Sequence, residues 1–385
     1  MPPTSSSIIG IDASRAVSDA PTGTEAYSAH LIRALAPRLA STHTLRLYYR
    51  ETPPFALDTR GSGPQTLGLE AAVETRVIPF PRLWTHLRLS WEMVRHPPDL
   101  LFVPAHVLPV VRPRHTLVTV HDLGYRRFPE AHPASQRRYL EMSTRWNVRV
   151  ATHILADSKA TRDAIIEAYH VPSQKLTVVY PGYEPDLKPV KDRDEIERVL
   201  QRYNVPGDYV LFVGRIQPRK NLTRLIEAFG RVLTDHPSLT LVLAGPAGWL
   251  GGPIQARTTA LGIADKVIFP GYVAPEDKAA LISGARLFAY PSLHEGFGFP
   301  VLEAQACGTP LLTSTTSSLP EVAGKGGLLV DPLNAEAIAD GLRRLLDDPA
   351  LGARLVTQGF ENLARFSWDM AARQVQAVIT DLLRK

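Results

Sequence analysis

Arg215 and Lys220 bracket the turn Gly214-Arg-Ile-Gln-Pro-Arg-Lys220, and Glu295 and Glu303 bracket a second one, Glu295-Gly-Phe-Gly-Phe-Pro-Val-Leu-Glu303. Two cations fixed at the mouth of a loop suit a diphosphate, because arginine offers a planar fork to phosphate oxygens and lysine a mobile point charge. Taken alone, Arg-x4-Lys is more often a pair of solvated loop charges. In the second turn, Gly296 and Gly298 let the backbone approach a ligand, and Pro300 suits the first turn of a helix. A helix start supplies free N–H groups and a positive dipole end. Glu295 lies before the turn and Glu303 about one helical turn inside, so both carboxylates can accept hydrogen bonds from one polyhydroxylated ligand. The plainer alternative is a structural loop with two surface glutamates.

Two sites in the first half also carry chemistry-bearing residues. His121, in Thr119-Val-His-Asp-Leu123, follows an apolar run, as a satisfied buried histidine or a ligand-facing one would. Pro21-Thr-Gly-Thr-Glu25 reads as a capping box between Thr22 and Glu25, which explains those two residues. Gly23 and Thr24 carry a second reading of equal weight, as N–H donors to a phosphate or an acceptor.

These residues need elements to hold them. Short apolar runs at 8–12, 44–49, 76–80, 99–103, 116–121, 153–157 and 176–180 predict strands, separated by helical patterns at 24–39, 83–94, 134–150 and 159–169. The alternation pauses at Pro181-Gly-Tyr-Glu-Pro-Asp-Leu-Lys-Pro189 and the charged run 191–198, which shows no apolar face and reads as a linker. It restarts with strands at 209–214, 239–244, 267–269, 287–290, 311–313 and 327–330, and helices at 221–233, 254–261, 276–283, 300–307 and 335–346. Continuous apolar strands alternating with helices predict parallel sheets covered on both faces. The expected fold class is α/β, with two Rossmann-like doubly wound domains, 1–186 and 187–367, and a final helix at 368–385. In such sheets ligands lie beyond the carboxyl ends of the strands, where all the loops above begin.

Composition narrows the classes. The chain has 385 residues, 44% hydrophobic and 21% charged, which excludes a disordered or fibrous protein. Its single cysteine, Cys307, excludes an internal disulfide framework and a zinc site built on several thiolates. A net charge of +5 is too small to imply a nucleic-acid partner. No segment approaches the ~20 apolar residues of a membrane span, and the polar start lacks a signal-peptide core, so a cytoplasmic protein is expected. The sequence holds no Gly-x-Ser-x-Gly, His-Glu-x-x-His or Walker loop. Asp192-Arg-Asp194 has the form of a metal-holding pair, but it follows no predicted strand and reads as solvated charge at a helix start.

Glu295-x7-Glu303, preceded by Gly214-Arg-x4-Lys220, resembles the retaining glycosyltransferases of the GT-B type. More narrowly it resembles family 4, the group 1 glycosyltransferases, and among them mannosyltransferases. Pro181-Gly-Tyr183, Ala244-Gly245, Pro270-Gly-Tyr272, Ser318-Leu-Pro-Glu-Val-Ala323 and Phe366-Ser-Trp368 extend the resemblance across nearly the whole chain. It implies two domains facing a cleft, with Gly214, Arg215 and Lys220 at the donor diphosphate and Glu303 at the ribose. Glu295, with the backbone of Gly296, Phe297, Gly298 and Phe299, would hold the transferred sugar. Tyr272 and Val273 would lie near the base, His121 would hydrogen-bond the donor sugar or the reacting hydroxyl, and the last helix would return to the first domain. The implied co-substrate is a nucleotide-diphosphate sugar, GDP-mannose before UDP-glucose, with a glycan or lipid-linked acceptor and no metal or other cofactor. A non-catalytic nucleotide-sugar-binding protein and a GT-B epimerase are the rival readings.

One basic region stands apart. Residues 76–149 hold 12 Arg against 5 Asp and Glu, and Arg82, Arg88 and Arg95 interleave with Trp84, Leu87, Trp91 and Val94. Positions 84, 87, 91 and 94 make one helical face, expected to pack on the sheet. The alternative is peripheral contact with the anionic inner face of a membrane.

Overall fold

Thr240–Ala244 is buried along its whole length, and the strands around it are nearly as enclosed, because both faces of their sheet are covered by helices. The structure, a computed structural model, describes residues 7–17, 23–52, 72–105, 107–129, 133–246 and 251–385. Thr22, half of the expected capping box, lies outside them. Two compact units emerge, one of Met1–Arg126, Pro133–Gly182 and Phe366–Lys385, the other of Arg127–His132 and Tyr183–Arg365.

The first unit carries β1 (Ile8–Asp12), β2 (Thr44–Tyr49), β3 (Val73–Val77), β4 (Leu100–Val103), β5 (His115–Val120), β6 (His153–Ala156) and β7 (Leu176–Val178). Their order is β3-β2-β1-β4-β5-β6-β7, with every pairing parallel. The second unit carries β8 (Tyr209–Val213), β9 (Thr240–Ala244), β10 (Val267–Gly271), β11 (Leu287–Tyr290), β12 (Leu311–Ser314) and β13 (Leu328–Val330). Their order is β10-β9-β8-β11-β12-β13, again parallel throughout. Both sheets reverse their winding once, between β1 and β4 in the first and between β8 and β11 in the second, and such a switch point opens a crevice at the carboxyl edge.

The charged run after residue 190 is not plain linker. Asp192 caps the helix Arg193–Arg202 by accepting from the N–H groups of Asp194 and Glu195. Val199 and Leu200 are buried, and that helix packs against Pro275–Ser283. Three apolar residues in ten, only two of them buried, make its inner face too narrow to read from the pattern. The division between the units falls after Gly182 rather than at 186, and residues from Phe366 on rejoin the first unit. There the helix Trp368–Leu383 buries Ala371, Ala372, Val375, Ile379 and Leu382, packing along the helix Gly23–Ala40. Trp368 stacks on His30 with centroids 5.2 Å apart, and Arg38 pairs with Asp369.

The segment expected as one helix over 83–94 is a π-helical turn, Thr85–Leu89, running into the α-helix Ser90–Arg95. Leu89 N donates to Trp84 O, five residues back. That wider turn breaks the expected face: Trp84 is buried, with Leu89 and Met93, while Leu87, Trp91 and Val94 are exposed.

Candidate active site

In the second unit, the loops that follow β8 and β11 meet at the switch point. The β8 chain leaves through Gly214 and a short 3-10 turn, Pro218–Lys220, to Asn221, which adopts φ 62° and starts the helix Leu222–Val232. The amide of Asn221 donates to Pro291 O (3.0 Å) and Pro332 O (2.6 Å), and Leu293 N donates to Arg219 O (2.9 Å), so the two loops are tied.

Glu295 is the centre of that junction and is buried. Lys220 Nζ donates to its Oε1 at 2.6 Å, Tyr290 Oη to the same oxygen at 3.0 Å, and Arg219 Nη1 to its Oε2 at 2.7 Å. Lys220, also buried, lies over the Tyr290 ring with Nζ 4.9 Å from the centroid and donates to Tyr290 Oη. Burial pushes the Glu295 carboxyl up, but the charges and hydrogen bonds of Arg219 and Lys220 outweigh it and hold it at about 2. The same carboxylate, after burial itself, pushes the Tyr290 phenol well above its ordinary value.

A row of hydroxyls supports this loop from the next strand. Ser314 Oγ donates to Ser292 O, Thr316 Oγ1 to Leu293 O, and Ser317 Oγ accepts from Glu295 N. Ser318 Oγ lies 2.9 Å from Glu295 O and 2.7 Å from Phe297 O as a shared donor. Gly298, at φ 106°, then opens the helix Phe299–Ala306; a Cβ there would stand 2.8 Å from Leu319 Cδ2. Only glycine fits both that angle and that space.

Glu303 sits in this helix, partly open to solvent, and meets a different cation. Lys278 Nζ donates to Glu303 Oε1 (3.1 Å) and to Glu184 Oε2 (2.6 Å). Burial works against the ammonium, yet the two carboxylates carry it well above the ordinary lysine range. Tyr272 and Val273 follow β10 at the same carboxyl edge, Tyr272 exposed and Val273 half-buried. Backbone bonds join that edge: Gly214 N to Ala244 O, Ile216 N to Pro246 O, and Gly245 N to Gly271 O.

Of the two cations read from the first loop, only Lys220 enters the junction. Arg215 is exposed and makes no hydrogen bond or ion pair among the described residues, and Arg219 takes the place beside Glu295. Arg219, Tyr290, Lys278 and Glu184 are residues that the sequence did not single out. Arg219 stood in the quoted loop as a further charge, and Tyr290 ends a strand next to it; nothing in the sequence distinguishes Lys278.

The first unit has its own polar cluster at its switch point. His121, just past β5, has Nδ1 2.6 Å from Asp157 Oδ2 and donates from Nε2 to Pro104 O at 3.0 Å. A carbonyl only accepts, so Nε2 carries a proton. Burial opposes the imidazolium, but the Asp157 carboxylate and Asp122 raise the His121 pKa above its ordinary value. Both ring nitrogens are therefore engaged inside the unit. Tyr27 stands edge-on to the imidazole, centroids 4.8 Å apart, and bonds Thr119. Asp12, the last residue of β1, accepts from Ser14 N through Oδ1, while its buried Oδ2 has no partner among the described residues. Burial pushes its carboxyl up to about 6. Gly23 and Thr24 are exposed at the start of the helix Gly23–Ala40.

Sequence comparison decides what this architecture belongs to. The family described as "Glycosyl transferases group 1" matches residues 192–362, and "Glycosyltransferase Family 4" matches residues 21–187. The O-antigen chain mannosyltransferase B of Escherichia coli is 31% identical over 295 residues, spanning 76% of this chain and 77% of its own length. The chain belongs to the group 1 glycosyltransferases. Among solved structures, sucrose-phosphate synthase from Thermosynechococcus elongatus matches with TM-score 0.74 at 23% identity, covering 98% of this chain and 99% of that one. The Anabaena protein HepE, in complex with UDP and glucose, matches with TM-score 0.72 at 20% identity over 97% and 99%. These likenesses show the fold, GT-B, with one Rossmann-like sheet in each unit of this group 1 glycosyltransferase. It is an enzyme that transfers a sugar from a nucleotide sugar.

Proposed function

We propose that this group 1 glycosyltransferase is a retaining, metal-independent enzyme that moves a hexose, mannose before glucose, to a glycan or lipid-linked acceptor. The observation that carries the reading is the buried junction of Lys220, Arg219 and Glu295 at the carboxyl ends of the strands flanking the switch point, beside a helix opened by Gly298.

Breaking the anomeric C–O bond leaves negative charge on the departing diphosphate, and a preorganised cation and helix start stabilise that charge without reorganising. In this reading Lys220 and the exposed Arg215 take the diphosphate, with Gly214 giving it room. The diphosphate competes with Glu295 for Lys220, so the carboxylate is handed to the hydroxyls of the sugar as the donor seats. The backbone of Gly296, Phe297, Gly298 and Phe299 lines the sugar, Glu303 holds the ribose, and Tyr272 and Val273 border the base. The acceptor oxygen forms its bond to the anomeric carbon on the face the diphosphate leaves, and its proton passes to a leaving phosphate oxygen. No protein nucleophile is required. His121, locked between Asp157 and Pro104, would present a fixed positive edge rather than a mobile base, and Gly23 and Thr24 would offer N–H groups to phosphate or acceptor.

Mannose is favoured by the Escherichia coli mannosyltransferase relative, and glucose follows from the UDP and glucose in the Anabaena neighbour. The test is incubation with GDP-mannose, UDP-glucose and their ADP and dTDP counterparts in excess EDTA. A new glycosidic bond with the donor's anomeric configuration is the expected product. An inverted anomer, or turnover restored only by manganese or magnesium, would overturn the reading. Donor binding without transfer to any acceptor would favour a binding protein.

A further inference from the structure

The segment 83–95 has two apolar faces, and only one of them is buried among the described residues. Trp84, Leu89 and Met93 are buried among Tyr48, Ile78, Leu101 and Leu108, which fixes the segment firmly. On the opposite side Leu83, Leu87, Trp91 and Val94 are 62%, 53%, 52% and 56% exposed. Leu83 reaches that side from the left-handed backbone region, at φ 55°, which a leucine rarely adopts. Ser90 Oγ accepts from Val110 N and Val111 N, bringing two more exposed apolar side chains to the start of the same helix. A contiguous apolar ridge of this kind marks an interaction surface rather than scattered exposure.

Its charge selects the partner. Residues 76–114 contain six Arg and two acidic residues. Glu92 is buried between Arg88 and His96, which leaves the exposed Asp99, an acceptor from Ile8 N at 2.7 Å, as the one open carboxylate in that stretch against five other arginines. Arg82 and Arg95 are exposed at the two ends of the segment, and the Arg95 guanidinium lies 5.3 Å over the Trp91 ring. Leucine and tryptophan flanked by arginine is the chemistry of a helix lying in a lipid headgroup layer.

We propose that this ridge docks the first unit on an anionic lipid surface. Leu83, Leu87, Trp91 and Val94 enter the boundary between headgroups and acyl chains, and Arg82 and Arg95 pair with lipid phosphates. The inference deepens the reading of a lipid-linked acceptor and rests on it for purpose, not for geometry.

The test is flotation of the full chain with vesicles of phosphatidylcholine alone and of phosphatidylcholine with phosphatidylglycerol. Binding is expected only to the second, weakening as salt rises. Leu87→Ser with Trp91→Ser should abolish flotation, and each of Arg82→Gln and Arg95→Gln should weaken it about fivefold. All these variants should keep the wild-type melting temperature and wild-type transfer to a water-soluble acceptor. Equal flotation with both vesicles, or flotation of the double variant, overturns the proposal. So does a wild-type dimer that the double variant converts to monomer, which would assign the ridge to a second copy. An active chain that does not float defeats this inference alone, whereas a floating chain without transferase activity defeats the lipid-linked-acceptor reading alone.

Discussion

Lys220 Nζ stands 2.6 Å from Glu295 Oε1 with both side chains buried, so the cation assigned to the donor is already paired before any ligand arrives. Such a pair contributes specificity more than stability, because its desolvation offsets much of its attraction. In the proposed reading its value lies in exchange: an arriving diphosphate would free the carboxylate it displaces.

Lys220→Met is therefore expected to weaken nucleoside diphosphate binding by about 1.5–3 kcal/mol, the worth of a charged hydrogen bond. Calorimetric titration with GDP and UDP checks it, and unchanged affinity for both would reject the diphosphate role. The same variant removes one of the cations that hold Glu295 at about 2. Glu295 stabilises the native state above its unfolded value of 4.5, and that stability is lost as pH falls toward 2. In the variant the carboxyl should titrate at higher pH, so the stability lost between pH 4.5 and 2 in acid-unfolding curves should shrink.

Lys278 bridges Glu303 to Glu184 and should act as a positioning residue for the ribose. Lys278→Met is expected to raise KM for the nucleotide sugar about tenfold or more with a smaller change in kcat. Lys278→Arg should restore part of it. The loss should shrink when the donor lacks a ribose hydroxyl; an equal loss with the deoxy donor would show that Lys278 acts elsewhere.

Asp12 is buried with one oxygen unpartnered, and its carboxyl is raised from 3.8 to about 6. A raised carboxyl favours the folded state fully below pH 3.8, and the advantage disappears as pH rises through 6. A shift of about two units corresponds to roughly 3 kcal/mol. Asp12→Asn should flatten the melting-temperature profile between pH 4 and 8; a profile identical to wild type would mean the carboxyl is not protonated in the fold.

His121 owes its raised pKa to Asp157, with Asp122 adding to it, against burial. The pair favours the folded state below pH 6.5 and loses that contribution as pH rises through the native value. Asp157→Asn should move the His121 titration, followed by NMR of its ring proton, to lower pH. An unmoved titration would remove Asp157 as the cause.

The architecture was legible because its signals are local. Each strand is a short apolar run, so β8, β9 and β11 fall within a residue or so of where the pattern puts them, and the helices Ala134–Val150 and Lys159–Tyr169 coincide with it. β3 begins three residues earlier than expected, because Val73, Glu74 and Thr75 pair with β2 without an apolar signature. The helix Pro349–Leu363 carries its core contacts on Leu351, Leu355 and Leu363, a spacing that the sequence reading passed over.

The candidate site was legible only as far as its loops. Gly214, Lys220, Glu295 and Glu303 could be quoted because glycines, a proline and charges concentrate there. Which charge meets which could not, since Lys220 and Glu295 are 75 residues apart and their meeting depends on sheet order. Arg215 and Arg219 are alike in sequence, and the 3-10 turn at Pro218–Lys220 decides that Arg219 faces Glu295. The face at 84, 87, 91 and 94 failed for a similar reason, because one π turn changes the period that the pattern assumed.

The helix Trp368–Leu383 completes a unit whose other strands and helices were all encoded before residue 183. The face of Gly23–Ala40 that this helix covers therefore stays bare until the stretch encoding the second unit has been translated. The portion begun first thus waits on a segment made after the whole of its neighbour, and chaperone dependence should concentrate on that uncovered face.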